Sequence, residues 1–136
     1  MSRLPRAQEY LKTGFNAEAA SAARFRALAA RARGEGRPNL AAALDELAAA
    51  KDALAVLQYD AAEAIREPAE DLPAAILAAL AEERCEIESL YPRMAREVDA
   101  QTAELLGGVA ETQRAHAERI QRLSEALTRS QGDISL

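Results

Sequence analysis

Apolar side chains recur along this chain three and four residues apart, the spacing of one face of an α-helix. After Pro5, a residue suited to a first helical turn, Leu11, Phe15, Ala22, Phe25, Leu28 and Ala29 keep that spacing until Gly34-Glu35-Gly36. This predicts helix 1 from about Pro5 to Arg33. Pro38 opens a second stripe of Leu40, Leu44, Leu47, Ala48, Leu54 and Leu57, which persists toward Ile65. The segment Glu67-Pro68-Ala69-Glu70-Asp71-Leu72-Pro73 then ends helix 2. Helix 3 begins near Pro73 and carries Ile76, Leu77, Leu80, Ile87, Leu90, Met94 and Val98, with a kink expected at Pro92. No Gly or Pro marks the next turn, so Asp99, a residue suited to an N-cap, places it. Helix 4 follows with Leu105, Leu106, Val109, Ile120, Leu123 and Leu127. Four long helices predict an all-α four-helix bundle over residues 1–129. The tail, residues 130–136, is small and polar apart from Ile134 and Leu136, and reads as a flexible, frayed terminus rather than a docking motif.

Composition narrows the chemistry. Hydrophobic residues make up 49% of 136 residues but aromatics only 4%, so the core must be built from Ala and Leu, which favour helices. The length suits one compact domain. The net charge is −5 and the basic residues are scattered, which argues against a nucleic-acid partner. Charges interrupt every apolar run and no signal-like block follows Met1-Ser2-Arg3, so no membrane association and a cytoplasmic location are expected. The single cysteine, Cys85, cannot form an intrachain disulfide, and its place between two site residues suits packing or an interface contact better than nucleophilic chemistry. Metal or redox chemistry would therefore fall to carboxylates.

The carboxylates Glu83 and Glu86 are three residues apart on helix 3, so both lie on one face. Glu18 on helix 1 and His116 on helix 4, with Gln113 three residues before it, are the other candidate donors. Facing positions in a helical hairpin lie equally far from its turn. By that rule Glu18 faces Lys51 across Gly34-Glu35-Gly36, and Glu86 faces Gln113 across Asp99.

These segments resemble the rubrerythrin branch of the ferritin-like family. The likeness runs through Leu11-Lys12-Thr13-Gly14-Phe15-Asn16-Ala17-Glu18-Ala19, the Glu35-Gly36 turn, Glu83-Arg84-Cys85-Glu86 with Leu90-Tyr91-Pro92, and the helix 4 segment Val109 to Arg119. It implies a ferritin-like bundle whose dinuclear iron centre takes a Glu from each of two helices and a Glu-x-x-His pair from each of the other two. The rubredoxin-like cysteine module of many rubrerythrins is absent, since the chain has one Cys.

The chain departs from that pattern at Lys51, Leu54 and Gln113, which stand where the resemblance implies Glu, His and Glu. A bridging ligand needs two anionic oxygens, which an amide supplies poorly and an ammonium not at all. Two readings follow. In the first, Lys51 supplies the positive charge among Glu18, Glu83 and Glu86, the metal centre is lost, no cofactor is bound, and the bundle is a structural or binding component. In the second, Glu18, Glu83, Glu86 and His116 hold one iron, zinc or other divalent ion in a rubrerythrin-like oxidoreductase or peroxidase. The blander possibilities are a solvated acidic face for Glu83 and Glu86, a surface lysine at position 51, and a core or interface histidine at 116. Donor chemistry favours the first reading, and family likeness alone favours the second.

The ferritin-like arrangement runs helix 3 parallel to helix 2, so the chain between them must travel back along the bundle. From Lys51 to Ile65 is ~21 Å and from Pro73 to Glu83 ~15 Å, a return of ~36 Å, whereas the seven residues from Arg66 to Leu72 reach ~24 Å. Either helix 2 ends early near Tyr59, or the helix 3–helix 4 hairpin passes to a second subunit. The expectation is a homodimer, with domain swapping as one way to satisfy the geometry.

Overall fold

A computed structural model describes residues 6–130 and 132–135, all of whose regular elements are helical. Pro5, Gln131 and Leu136 lie outside the described residues. The chain divides between Ala69 and Glu70 into two compact units, each a helical hairpin.

The first hairpin pairs α1 (Ala7–Gly34) with α2 (Pro38–Ala64). The turn closes on Gly36, whose φ of 75° lies in the left-handed region that glycine enters without a Cβ penalty. The Arg37 N–H reaches back to the Ala32 carbonyl at 2.9 Å, and Pro38 starts α2 where its missing N–H costs no bond. Buried alanines recur every seven residues on α2, at Ala41, Ala48, Ala55 and Ala62, against Ala22, Ala29 and Ala32 of α1. Small side chains along a seven-residue seam let two helices approach closely and leave the larger groups to the flanks. Between the alanines, Leu44, Lys51, Gln58 and Ile65 continue the seam at the same spacing, all half-buried. One edge is tied by the ion pairs Arg26–Asp52 and Arg33–Asp45, the latter 2.8 Å. Phe15 and Tyr59 meet with ring centres 5.6 Å apart and planes tilted by 54°. The opposite flank of α2 presents Leu40, Leu47, Leu54 and Leu57, all exposed.

The second hairpin sets α3 (Leu72–Cys85), a π-helical turn (Glu86–Leu90) and α4 (Tyr91–Arg96) against α5 (Ala100–Arg129). Asp71 caps α3 by accepting from the Ala74 N–H at 2.9 Å. Asp99 caps α5, accepting from both the N–H and the hydroxyl of Thr102 at 2.8 Å. The core here is Leu80 and Ile87 on Ala117, with Ile120 beside them.

One feature of the third helix was not in the sequence reading. The third helix runs on through Pro92 to Arg96, but a π-helical turn stands before the proline, with the Tyr91 N–H bonded to the Glu86 carbonyl. A proline ring clashes with the carbonyl four residues back, and widening the preceding turn by one residue relieves that clash. Helix α2 continues to Ala64, as the stripe toward Ile65 predicts and the helix-forming run Ala61-Ala62-Glu63-Ala64 favours, so the alternative of an early end near Tyr59 does not occur.

Candidate functional site

The seven-residue seam of the first hairpin is interrupted by charge at one level. There Lys51 Nζ lies 3.1 Å from Glu18 Oε2, with the side chains 32% and 24% exposed. This is the pairing that equal distance from the Gly34-Glu35-Gly36 turn requires. The ammonium is at ion-pair distance but off the direction of a hydrogen bond, so the buried Glu18 Oε2 still lacks an aligned donor. Two helical turns on along α2, the amide of Gln58 fills the space where a Cβ on Gly14 would stand, which explains a glycine in mid-helix.

The second hairpin holds its own polar level. The Gln113 Nε2 donates to Glu86 Oε2 at 2.5 Å, again the pair expected to face across the Asp99 turn. Glu83 is half-buried on the same side of α3, and its Oε2, like Oε1 of Gln113, is buried without a hydrogen-bond partner. His116 is exposed, one turn beyond Gln113, which differs from a core histidine; α5 meets the rest of its hairpin along Ala103, Ala110, Ala117 and the residues between, and position 116 falls on the flank. Leu54 is exposed on α2, and Cys85 is exposed at the end of α3.

The structure therefore brings Lys51 to Glu18 and Gln113 to Glu86, each pair within one hairpin. Among the described residues, no group of three or more His, Cys, Asp or Glu side chains converges as a ligand set. The donor chemistry does not fit a dinuclear centre: of the two positions where the resemblance implies a bridging carboxylate, one is an ammonium already paired with a carboxylate and the other an amide already bonded to one. Among the described residues, no helix is long and apolar enough to cross a membrane.

Sequence reasoning missed Gln58 and its dependence on Gly14, although the seven-residue series Leu44, Lys51, Gln58, Ile65 contained the signal. It also missed a groove of about 890 Å³ along α5, lined from Gln101 to His116 and including Leu105, Gly108, Val109 and Thr112. Gly107-Gly108 within an otherwise helical stretch was the available clue. No protein-family model matches the chain, and no curated protein matches it.

Proposed function

We propose that this protein is a rubrerythrin-like member of the ferritin-like bundles that has exchanged its dinuclear iron centre for an internal salt bridge, and that it acts as a non-catalytic structural or binding component in the cytoplasm. The observation that carries this reading is the Lys51 ammonium 3.1 Å from Glu18, a cation supplied by the chain at a level where the resemblance implies a metal. Glu83 and Glu86 are the further carboxylates that Lys51 would neutralise when the two polar levels meet. A positive charge among them offsets the cost of holding carboxylates away from water.

The active form in this reading is a homodimer. With α2 extending to Ala64 and α3 starting at Leu72, Lys51 is ~20 Å from the end of its helix and Glu83 ~17 Å from the start of its own. A parallel, ferritin-like return of ~36 Å exceeds the ~25 Å that residues 65–71 can span, so the second hairpin that meets a given first hairpin belongs to another copy.

The test is elemental analysis of protein purified without added metal, followed by incubation with ferrous iron. The expected result is well under one metal per chain. Two irons per chain would overturn the reading. A second reading draws on the buried oxygens of Glu18 and Glu83 that accept no hydrogen bond. In it, Glu18, Glu83, Glu86 and His116 hold a single divalent ion in an oxidoreductase or peroxidase, and analysis would return one metal per chain.

A further inference from the structure

One face of α5 carries charge in a regular order. Glu111, Arg114, Glu118, Arg122, Glu125 and Arg129 alternate in sign, and all six are exposed. Their five steps cover eighteen residues, one helical turn of 3.6 residues each on average, so the row runs straight along the helix. At 100° per residue all six fall within about 40° of one line, and no other residue between Glu111 and Arg129 does. The row therefore has no apolar member. The residues that α5 buries in its hairpin, Ala110 and Ala117, lie about a quarter-turn to the side. On that side a groove of about 420 Å³ runs over the buried Ile87 and Ala117, and the facing elements add one charge of each sign to it, Arg84 and Glu88.

Along a single helix such charges are spaced to close internally, as Glu118–Arg122 and Glu125–Arg129 four residues apart. Within the row only Glu111 and Arg114 do so. Arg84 donates to Gln121 at 2.6 Å and Gln121 donates to Glu125 at 2.8 Å, which ties that carboxylate to the hairpin. Glu118, Arg122 and Arg129 have neither a hydrogen bond nor an ion pair among the described residues.

We propose that this row docks a second copy of the chain, whose own α5 lies against it antiparallel about a two-fold axis near Ile120. Reversing an alternating row with an even number of members sets a Glu opposite every Arg. Glu111 faces Arg129, Arg114 faces Glu125 and Glu118 faces Arg122, and the two-fold makes each pair occur twice. Glu111 and Arg129 are each nine residues from Ile120, Glu118 and Arg122 each two, and Arg114 and Glu125 six and five. No pair is therefore offset by more than ~1.5 Å along the helix. A parallel pairing, level for level, would set each charge against its own kind.

Charge also selects the partner and the face. The row is neutral and alternating, so it offers no net field to an acidic or a basic ligand, whereas its own reversed copy matches it at every position. Seven basic and thirteen acidic residues give residues 70–136 a formal −6, so two second hairpins repel in most orientations. The neutral row is where they can approach, and complementarity fixes the register there. The contact spans part of one helix and has no apolar core, which makes it weak and sensitive to salt. It adds to the homodimer proposed above and doubles the number of copies in whatever assembly the hairpins make.

Sedimentation equilibrium of the full chain under reducing conditions tests this at ~0.5 mM protein, a concentration suited to weak contacts. Runs at ~0.01 M and ~1 M salt change the Debye length from ~30 Å to ~3 Å. The native mass at low salt should be twice that at high salt. Arg122→Glu and Glu118→Arg each place two like-charge contacts at the axis, and each variant alone should keep its high-salt mass at low salt. Mixed in equal amounts, one variant presents two acids where the other presents two bases, and the doubled mass should return. Both positions are exposed, so helix content by circular dichroism should be unchanged. A role confined to pairs within α5 would not be restored by mixing. A native mass independent of salt, doubling by either variant alone, or a mixture that fails to double would each overturn the proposal. A high-salt mass of one chain that doubles at low salt would support this surface and overturn the homodimer reading.

Discussion

Lys51 Nζ stands 3.1 Å from Glu18 Oε2 in a seam whose buried residues are alanines. The pair is neither a surface ion pair nor a buried one, because about a quarter to a third of each side chain meets solvent in its hairpin. Solvent screens part of the attraction, and the desolvation cost of removing one partner is correspondingly partial.

Lys51→Ala should therefore destabilise the protein by about 1–2 kcal/mol, between the values for exposed and fully buried pairs. Thermal melts of Lys51→Ala, Glu18→Gln and the double variant form a cycle, and a coupling of about 0.5–1.5 kcal/mol is expected. Zero coupling would mean that the ammonium and carboxylate are close without interacting. Larger loss for the single lysine variant, toward ~3–5 kcal/mol, would show that assembly buries the pair further.

Gly14 and Gln58 should be coupled through space. Alanine is favoured over glycine in a helix by about 1 kcal/mol. Here the gain from Gly14→Ala is offset because the Gln58 amide must leave the position a new Cβ would take, and with it the 3.2 Å bond to the Leu54 carbonyl. Gly14→Ala alone should change stability by less than about 0.5 kcal/mol, but in a Gln58→Ala background it should stabilise by about 1 kcal/mol. Equal effects in the two backgrounds would sink the idea.

The seam residues explain what the sequence made legible. Apolar spacing located the helices, and equal distance from a turn located the facing pairs Glu18–Lys51 and Glu86–Gln113, since a hairpin of two straight helices leaves no freedom in register. The π-helical turn at Glu86–Leu90 was not legible, because the periodicity of Ile87, Leu90 and Met94 survives one extra residue and Pro92 alone suggests a kink. The flank on which His116 lies was not legible for a related reason. Its spacing from Gln113 matches a ligand pair, but which flank of α5 faces its partner depends on Ala110 and Ala117, residues too small to dominate a hydrophobic pattern.

If the chain has lost a metal centre as proposed and the loss traces to three side chains, restoring them should restore binding. The combined variant Lys51→Glu, Leu54→His and Gln113→Glu removes the ammonium, adds an imidazole and replaces a neutral amide by a carboxylate. It should bind two ferrous ions per chain at concentrations where the native protein binds fewer than one, read by elemental analysis after desalting. A folded triple variant that remains free of metal would overturn the proposal that these positions once completed a metal centre. The same variant should be less stable than the native protein without metal, because it replaces an opposite-charge pair with two carboxylates.

The start of α5 should weaken in acid. Asp99 accepts first the Thr102 N–H and then its hydroxyl, and these bonds hold its carboxyl below the ordinary value of 3.8. A lowered pKa in the folded state means that the charged form is favoured there. Its stabilising contribution is complete above the unfolded value and is lost as pH falls below 3.8 through the folded value. The helix dipole acts in the same direction, since a negative charge at an N-terminus is favourable and a neutral carboxyl is less so. Asp99→Asn keeps an acceptor for the Thr102 N–H but cannot titrate. Relative to that variant, the native protein should melt higher at neutral pH and lose its advantage in this acid range, with faster exchange of the Thr102 amide proton as the local readout. A constant difference between the two proteins across the acid range would show that the cap contributes through shape alone and that the charge on Asp99 has no part in holding the helix start.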